Sequence, residues 1–253
     1  MRTLLPLLLL GLVACAEDPA SSPVNPDQPS PIPETATHLL VVRSASWDAT
    51  TGDLVRYERT AEGWAQAGTP ISVVLGRSGL GWGRGLHGDG APHGAEGPIK
   101  KEGDGRAPAG VFTFGSAYGY AAEPPEGTRA PYVQVTDTWR CVDDGASTRY
   151  NEVFDSAGVT PDWSSAEDML RDDELYTRVV MVEHNTHPAR PGSGSCIFLH
   201  VWRGPDSTTA GCTAMPLEDL EAVMVFLVPD ETVFIQLEDT TYEALAKPWE
   251  LPM

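Results

Sequence analysis

Beyond Thr35 the apolar residues fall in short runs, many with period-two alternation, separated by turn-forming residues. The runs HLLVVRSASW, DLVRYER, GWAQAGTPISVVLG, APAGVFTFGSAYGY, PYVQVT, TRVVMVEHN, CIFLHVW and ETVFIQLE predict strands, several enriched in β-branched and aromatic side chains. Thr51-Gly52-Asp53 reads as a hairpin turn between two of them, and Gly76 to Gly97 holds too little apolar side chain for an element. That stretch is expected to be a surface loop with His87 and His93 in solvent. Helical signals occur twice. Ser164 to Asp173 opens on the capping box Ser164-Ser165-Ala166-Glu167. Pro216 to Leu227 sets Leu217, Leu220, Val223, Met224 and Leu227 on one face, with Pro216 suited to the first turn. The expectation is a mainly β domain over 35–253, a β-sandwich or partly closed barrel with two or three short helices.

The amino terminus follows other rules. Residues 1–14 place one basic residue, Arg2, before an apolar run that is too short to span a bilayer, which is the form of a secretory signal. Leu12-Val13-Ala14-Cys15 resembles the bacterial lipobox, and that resemblance implies lipidation of Cys15; an ordinary signal peptide with a cysteine near its cleavage point is the alternative. From Ala16 to Glu34 there are six prolines, four acids and no basic residue. Residues 15–34 are therefore expected to be a lipidated cysteine followed by a Pro-rich disordered linker, reaching on the order of 60 Å at about 3.1 Å per residue.

Charge narrows the partners. The chain carries 36 Asp and Glu against 17 Lys and Arg, a formal charge of -19 that becomes -20 when the leader takes Arg2 with it. Nucleic acid is excluded, and so is electrostatic attachment to anionic lipid, leaving a lipid anchor as the one means of holding a membrane.

Candidate chemistry concentrates in Gly194 to Pro216, GSCIFLHVWRGPDSTTAGCTAMP. Ile197 to Trp202 alternates Ile, Leu and Val with Phe, His and Trp, so His200 sits in a strand covered on both faces. Such a histidine either is satisfied by a backbone carbonyl or serves as a base. Gly211-Cys212 follows a loop shortly before the second predicted helix. A thiol close to a helix amino terminus would have a lowered pKa and amides nearby for an oxyanion. Alternatively, Cys212 is a small buried hydrophobe.

This window resembles the active-site signature of L,D-transpeptidase catalytic domains, the YkuD-like family, in which a strand histidine is followed by a loop and a Ser/Thr-His-Gly-Cys segment. Upstream, Gly103-Asp104-Gly105-Arg106-Ala107-Pro108-Ala109-Gly110-Val111-Phe112 resembles the family's Thr-Pro-x-Gly-x-Phe segment. The resemblance covers most of residues 38–237. It implies a β-rich fold, a periplasmic location and peptidoglycan stem peptides as substrate, with Cys212 as nucleophile, His200 as base and Gly211 at the oxyanion position. No metal or organic cofactor is implied. The family's second histidine falls at Ala210 and its Arg or Asn at Ala214, so both are replaced, and Arg203 is a candidate for the lost cationic contact. Thr213, beside the nucleophile, is a further substrate-binding candidate.

Within the family, transfer of the thioester to an amine gives a cross-link and transfer to water gives a carboxypeptidase or amidase. The two alanines also admit a non-catalytic wall-binding lipoprotein. The whole would be a monomer in the periplasm, tethered preferentially to the outer membrane, since Ala16 does not signal inner-membrane retention.

Three further features stay open in the sequence. Glu183-His184-Asn185-Thr186-His187 ends a strand; in a continuing strand its two histidines face opposite ways, which argues against zinc. His184 and Asn185 are candidates for substrate-facing polar groups, with ordinary loop polarity as the alternative. With Cys15 lipidated and Cys212 a thiolate, Cys141 and Cys196 are either a disulfide or two separate buried thiols.

Overall fold

The computed structural model describes residues 29–253. The signal peptide, Cys15 and the linker as far as Gln28 lie outside the described residues. The packed body begins before the expected boundary at Thr35, because Ile32 joins the core and Ser30 Oγ donates to the Trp249 carbonyl at 2.8 Å.

In chain order the strands are β1 (His38–Ser44), β2 (Thr51–Thr60), β3 (Gly63–Gln66), β4 (Ile71–Val74), β5 (Leu80–Trp82), β6 (Arg84–Gly85), β7 (Gly88–Asp89), β8 (Ala107–Phe112) and β9 (Phe114–Gly119). They continue as β10 (Tyr132–Gln134), β11 (Trp139–Val142), β12 (Val153–Asp155), β13 (Ala166–Asp168), β14 (Arg178–Val182), β15 (Phe198–Val201), β16 (Thr213–Met215) and β17 (Thr232–Glu238). Two α-helices, α1 (Leu217–Phe226) and α2 (Asp239–Ala246), and a 3₁₀ turn at Glu174–Tyr176 complete the fold.

One sheet of twelve strands dominates, in the order β10-β9-β14-β15-β16-β4-β2-β1-β17-β8-β5 with β3 paired to β2. It is mainly β as expected, and it curls as a half-barrel rather than forming two packed sheets. A separate small sheet, β12-β11-β13, arises from the insertion between β10 and β14.

Alternation decides what each face of the central strands buries. On β15, Leu199 joins the large core beside α1 residues Leu220, Val223 and Met224, and Ile197 just before it does the same. Phe198 turns the other way, into a second cluster with Val179 and Met181 of β14, Cys141 of β11, Met169, Tyr176 and Cys212. This smaller core holds the candidate cysteine, and the insertion is its cover.

Three local expectations are corrected. Residues 164–173 form no α-helix: Ala166–Asp168 pairs with β11 as a strand, and Glu167 meets Cys141 in register. Helix propensity in so short a segment yields to pairing with a neighbouring strand edge. Thr51–Asp53 lies inside β2, and the chain reverses earlier, over residues 45–50. Gly52 serves a cross-strand contact, since a Cβ there would fall 2.4 Å from the Arg43 carbonyl oxygen. The Gly76–Gly97 stretch contains β5 and the β6–β7 hairpin, and its His87 is buried among Trp82, Phe112 and Trp249. Its Nδ1 accepts from the Val111 N–H at 3.0 Å, and burial lowers its pKa to about 4. His93, by contrast, is exposed.

Candidate active site

Strand β15, the following loop and β16 build the site. The two strands run parallel, with His200 opposite Ala214 and Leu199 opposite Thr213. Between them the loop is pinned at Thr209. Its backbone bonds Leu75 and Arg77, its hydroxyl donates to the Cys212 carbonyl at 2.6 Å, and it accepts the Gly211 N–H at 3.1 Å. Gly211 adopts φ 153°, and a Cβ there would lie 3.0 Å from the Arg106 carbonyl oxygen. The Gly103–Phe112 segment therefore backs the cysteine turn directly. Because the Gly211 amide is already engaged by Thr209, it is not a free oxyanion donor in this conformation.

Cys212 and His200 line one cavity of about 200 Å³. Ala210 and Ala214 line it too, so both positions where the family carries a polar side chain face the same space. His200 is satisfied by a backbone carbonyl, as the first of its two sequence readings has it. Its Nδ1–H donates to the Val201 carbonyl at 2.8 Å, which leaves the lone pair of the neutral ring on Nε2. Tyr176 packs edge-on against the imidazole with 5.4 Å between ring centroids. Burial lowers the pKa of His200 to about 4, partly offset by the Val201 carbonyl, so the ring is neutral near pH 7.

The thiol differs from expectation. Strand β16 and Pro216 separate Cys212 from α1, so the sulfur lies beyond reach of the helix terminus, whose influence fades within a turn. Burial, reinforced by the Glu167 carboxylate, pushes its pKa up to about 12. Phe198 N–H donates to Sγ at 3.4 Å, and Sγ–H donates to the Cys196 carbonyl at 3.5 Å. At rest this is a neutral thiol beside a neutral imidazole.

Of the other sequence candidates, Arg203 lines the cavity and pairs with Asp173 at 2.9 Å. Thr213 does not face it. As the next residue of an extended chain it points opposite to Cys212, and its buried hydroxyl donates to Gln236 Oε1 at 2.7 Å. His184 is likewise buried and structural, accepting from Arg84 N–H at 3.2 Å through Nδ1 and donating to the Ser193 carbonyl through Nε2 at 3.0 Å. Burial holds its pKa near 3. Asn185 is consumed by backbone partners at Arg190 and Gly194 and borders a different cavity, with His187 exposed nearby. Among the described residues no group of His, Cys, Asp or Glu could hold a metal ion. Cys141 and Cys196 are joined by a disulfide that ties β11 of the cover to the residue whose carbonyl receives the thiol proton.

Of the lining residues that escaped the sequence reading, three bear ionisable side chains: Glu167, Arg171 and Tyr176. All lie in or beside the segment expected to be a helix. No period-two apolar pattern marks a strand there, since Glu167 and Met169 share one face and one of them is an acid.

A family model described as YkuD, L,D-transpeptidase catalytic domain, matches residues 47–235. A search of the curated proteins finds no match. Similar solved structures include Bd1075 from Bdellovibrio bacteriovorus, at 13% identity and TM-score 0.38, with 81% of this chain and 50% of that one covered. Another is the helical cell shape determining protein Pgp2 from Campylobacter jejuni, at 11% identity and TM-score 0.37, with 82% and 52% covered. This chain spans about half the length of these two structures.

Proposed function

The chain belongs to the YkuD L,D-transpeptidase catalytic-domain family of peptidoglycan enzymes, and from that premise we propose that it is a cysteine acyltransferase acting on stem peptides. One observation carries the reading: Cys212 and His200 open into the same cavity, and the bond from His200 Nδ1–H to Val201 fixes the tautomer that a base requires. Substrate entry would redirect the thiol proton from the Cys196 carbonyl to His200 Nε2. Sγ then bonds to the carbonyl carbon at position three of a tetrapeptide stem, the C–N bond breaks, and the imidazolium returns its proton to the departing D-alanine amine. An incoming amine or water attacks the thioester, displaces Sγ and regenerates the thiol.

Water as acceptor, giving an L,D-carboxypeptidase, is the second reading, and the cavity's size favours it. About 200 Å³ under a covering insertion accommodates a small residue or water more readily than a second stem. The proposed setting is the periplasm, with the domain tethered through Cys15.

Mass spectrometry of muropeptides treated with the purified protein tests both readings. Shortened stems indicate hydrolysis and new dimers indicate transfer. Cys212→Ala and His200→Ala should each lower turnover by about a thousandfold or more. Unchanged product formation by Cys212→Ala would refute the thioester.

A further inference from the structure

The cavity that holds Cys212 is lined by charged groups that no family motif supplies. Among the described residues, Glu167, Arg171 and Arg203 are the lining side chains that bear a formal charge near neutral pH. Asp173 is absent from the lining and sits behind the two arginines. Arg171 donates to it through Nε at 2.9 Å and Nη2 at 3.0 Å, while Arg203 donates through Nη2 at 2.9 Å. Arg171 is also held over the Tyr176 ring, 5.0 Å from its centroid.

One carboxylate thus orients two guanidinium groups and neutralises one of them. Their hydrogen-bonding capacity is not exhausted: Arg171 Nη1 and Arg203 Nε and Nη1 have no protein partner among the described residues. Glu167 is the remaining acid, and its carboxyl accepts the Tyr176 hydroxyl. Burial raises its pKa, partly opposed by the Tyr176 hydrogen bond and by Arg171. With Asp173 counted, two arginines meet two acids, so in a chain of formal charge -19 this cavity is locally balanced and keeps unused guanidinium N–H donors beside it.

We propose that Arg171 and Arg203, braced by Asp173, form a carboxylate clamp that admits acyl substrates whose leaving residue ends in a free carboxylate. The planar, donor-rich edges of guanidinium groups match a carboxylate, and their charge-assisted bonds give both affinity and orientation. A cavity of about 200 Å³ leaves little room beyond one small residue. The site would therefore act on chain ends and reject stems that continue past the leaving residue. The identity of the leaving residue rests on the proposed function; the clamp's preference for carboxylate does not.

Calorimetric titration of the full chain with N-acetyl-D-alanine and N-acetyl-D-alaninamide reads the clamp directly, since the two probes differ only in the terminal charge. The acid should bind about tenfold or more tightly than the amide, and Arg203→Gln or Arg171→Gln should each remove most of that difference. A second measurement needs no acyl chemistry. At pH 9 the ratio of Cys212 modification by iodoacetate to that by iodoacetamide should exceed the ratio for free cysteine, and should fall toward it in Arg203→Gln. Thermal melts identify any variant that does not fold, and the wild-type ratios stand without it. Equal binding of acid and amide, or anion selectivity unchanged in both folded variants, would overturn the clamp. Anion selectivity without release of any residue from stems supports the clamp and refutes the proposed reaction. Equal turnover of stems with free and amidated termini refutes the clamp and leaves the reaction standing.

Discussion

The proton on Cys212 points at a backbone carbonyl, and this sets the reactivity of the free protein. With the thiol pKa raised to about 12 by burial, the thiolate fraction at pH 7 is on the order of 10⁻⁵, against a few per cent for an ordinary cysteine. Iodoacetamide should therefore label Cys212 roughly a thousandfold more slowly than free cysteine at pH 7, with a rate still climbing above pH 9. Labelling as fast as free cysteine would mean that the cover opens readily without substrate. The residue types were legible in the sequence. The alternation through Ile197 to Trp202 placed His200 on the face that carries Phe198, and the family resemblance paired it with Cys212. The thiol's ionisation was not legible, because it depends on which chain segments cover it.

Three histidines make a second argument at this scale. His87, His184 and His200 are buried and neutral, with pKa values lowered by burial to about 4, 3 and 4. Each binds its proton more readily in the unfolded chain, where the value is near 6.5, so unfolding takes up protons between 6.5 and the folded value. The stability that these groups contribute is intact above pH 6.5 and is lost as pH falls toward 4, at about 1.4 kcal/mol per pH unit for each histidine in its window. Urea unfolding at pH 7.5, 5.5 and 4.5 should show midpoints that fall steadily. A flat profile would show that the rings are hydrated or already protonated in the native state.

At the scale of elements, the insertion between β10 and β14 sets the character of the site. It brings β11 and β13 over the smaller core and supplies Glu167, Arg171 and Tyr176 to the cavity. Its tie to the body is the Cys141–Cys196 disulfide, which closes a loop across a sequence separation of 55. In the chain-entropy account a loop of that size contributes about 4 kcal/mol. Replacing both cysteines with alanine should cost about that much in urea unfolding and should also speed Cys212 labelling. Loss of stability with unchanged labelling would show that the cover holds its place by packing alone. The long apolar strands were readable because two-sided burial leaves continuous runs, as in HLLVVRS of β1. Short strands such as β5, β11 and β13 were not, since their burial comes from partners far along the chain. The capping box at Ser164 was a sound local signal that sheet pairing overrode.

For the whole molecule, acidity and attachment have to be reconciled. With the proposed leader removed the chain would carry -20 and be repelled by anionic headgroups, so we propose that a covalent lipid on Cys15 keeps it at a membrane. Each buried methylene of such a lipid contributes about 0.8 kcal/mol, a hydrophobic contribution that added salt does not weaken. Polybasic attachment would behave in the opposite way, releasing the protein as salt screens it. In fractionated cells, washing membranes with 1 M NaCl should leave the protein bound, and non-ionic detergent should extract it. Cys15→Ala should abolish the diacylglyceryl mass increment of the mature chain. Release of the unaltered protein by salt alone would refute the anchor and would require a protein partner at the membrane instead.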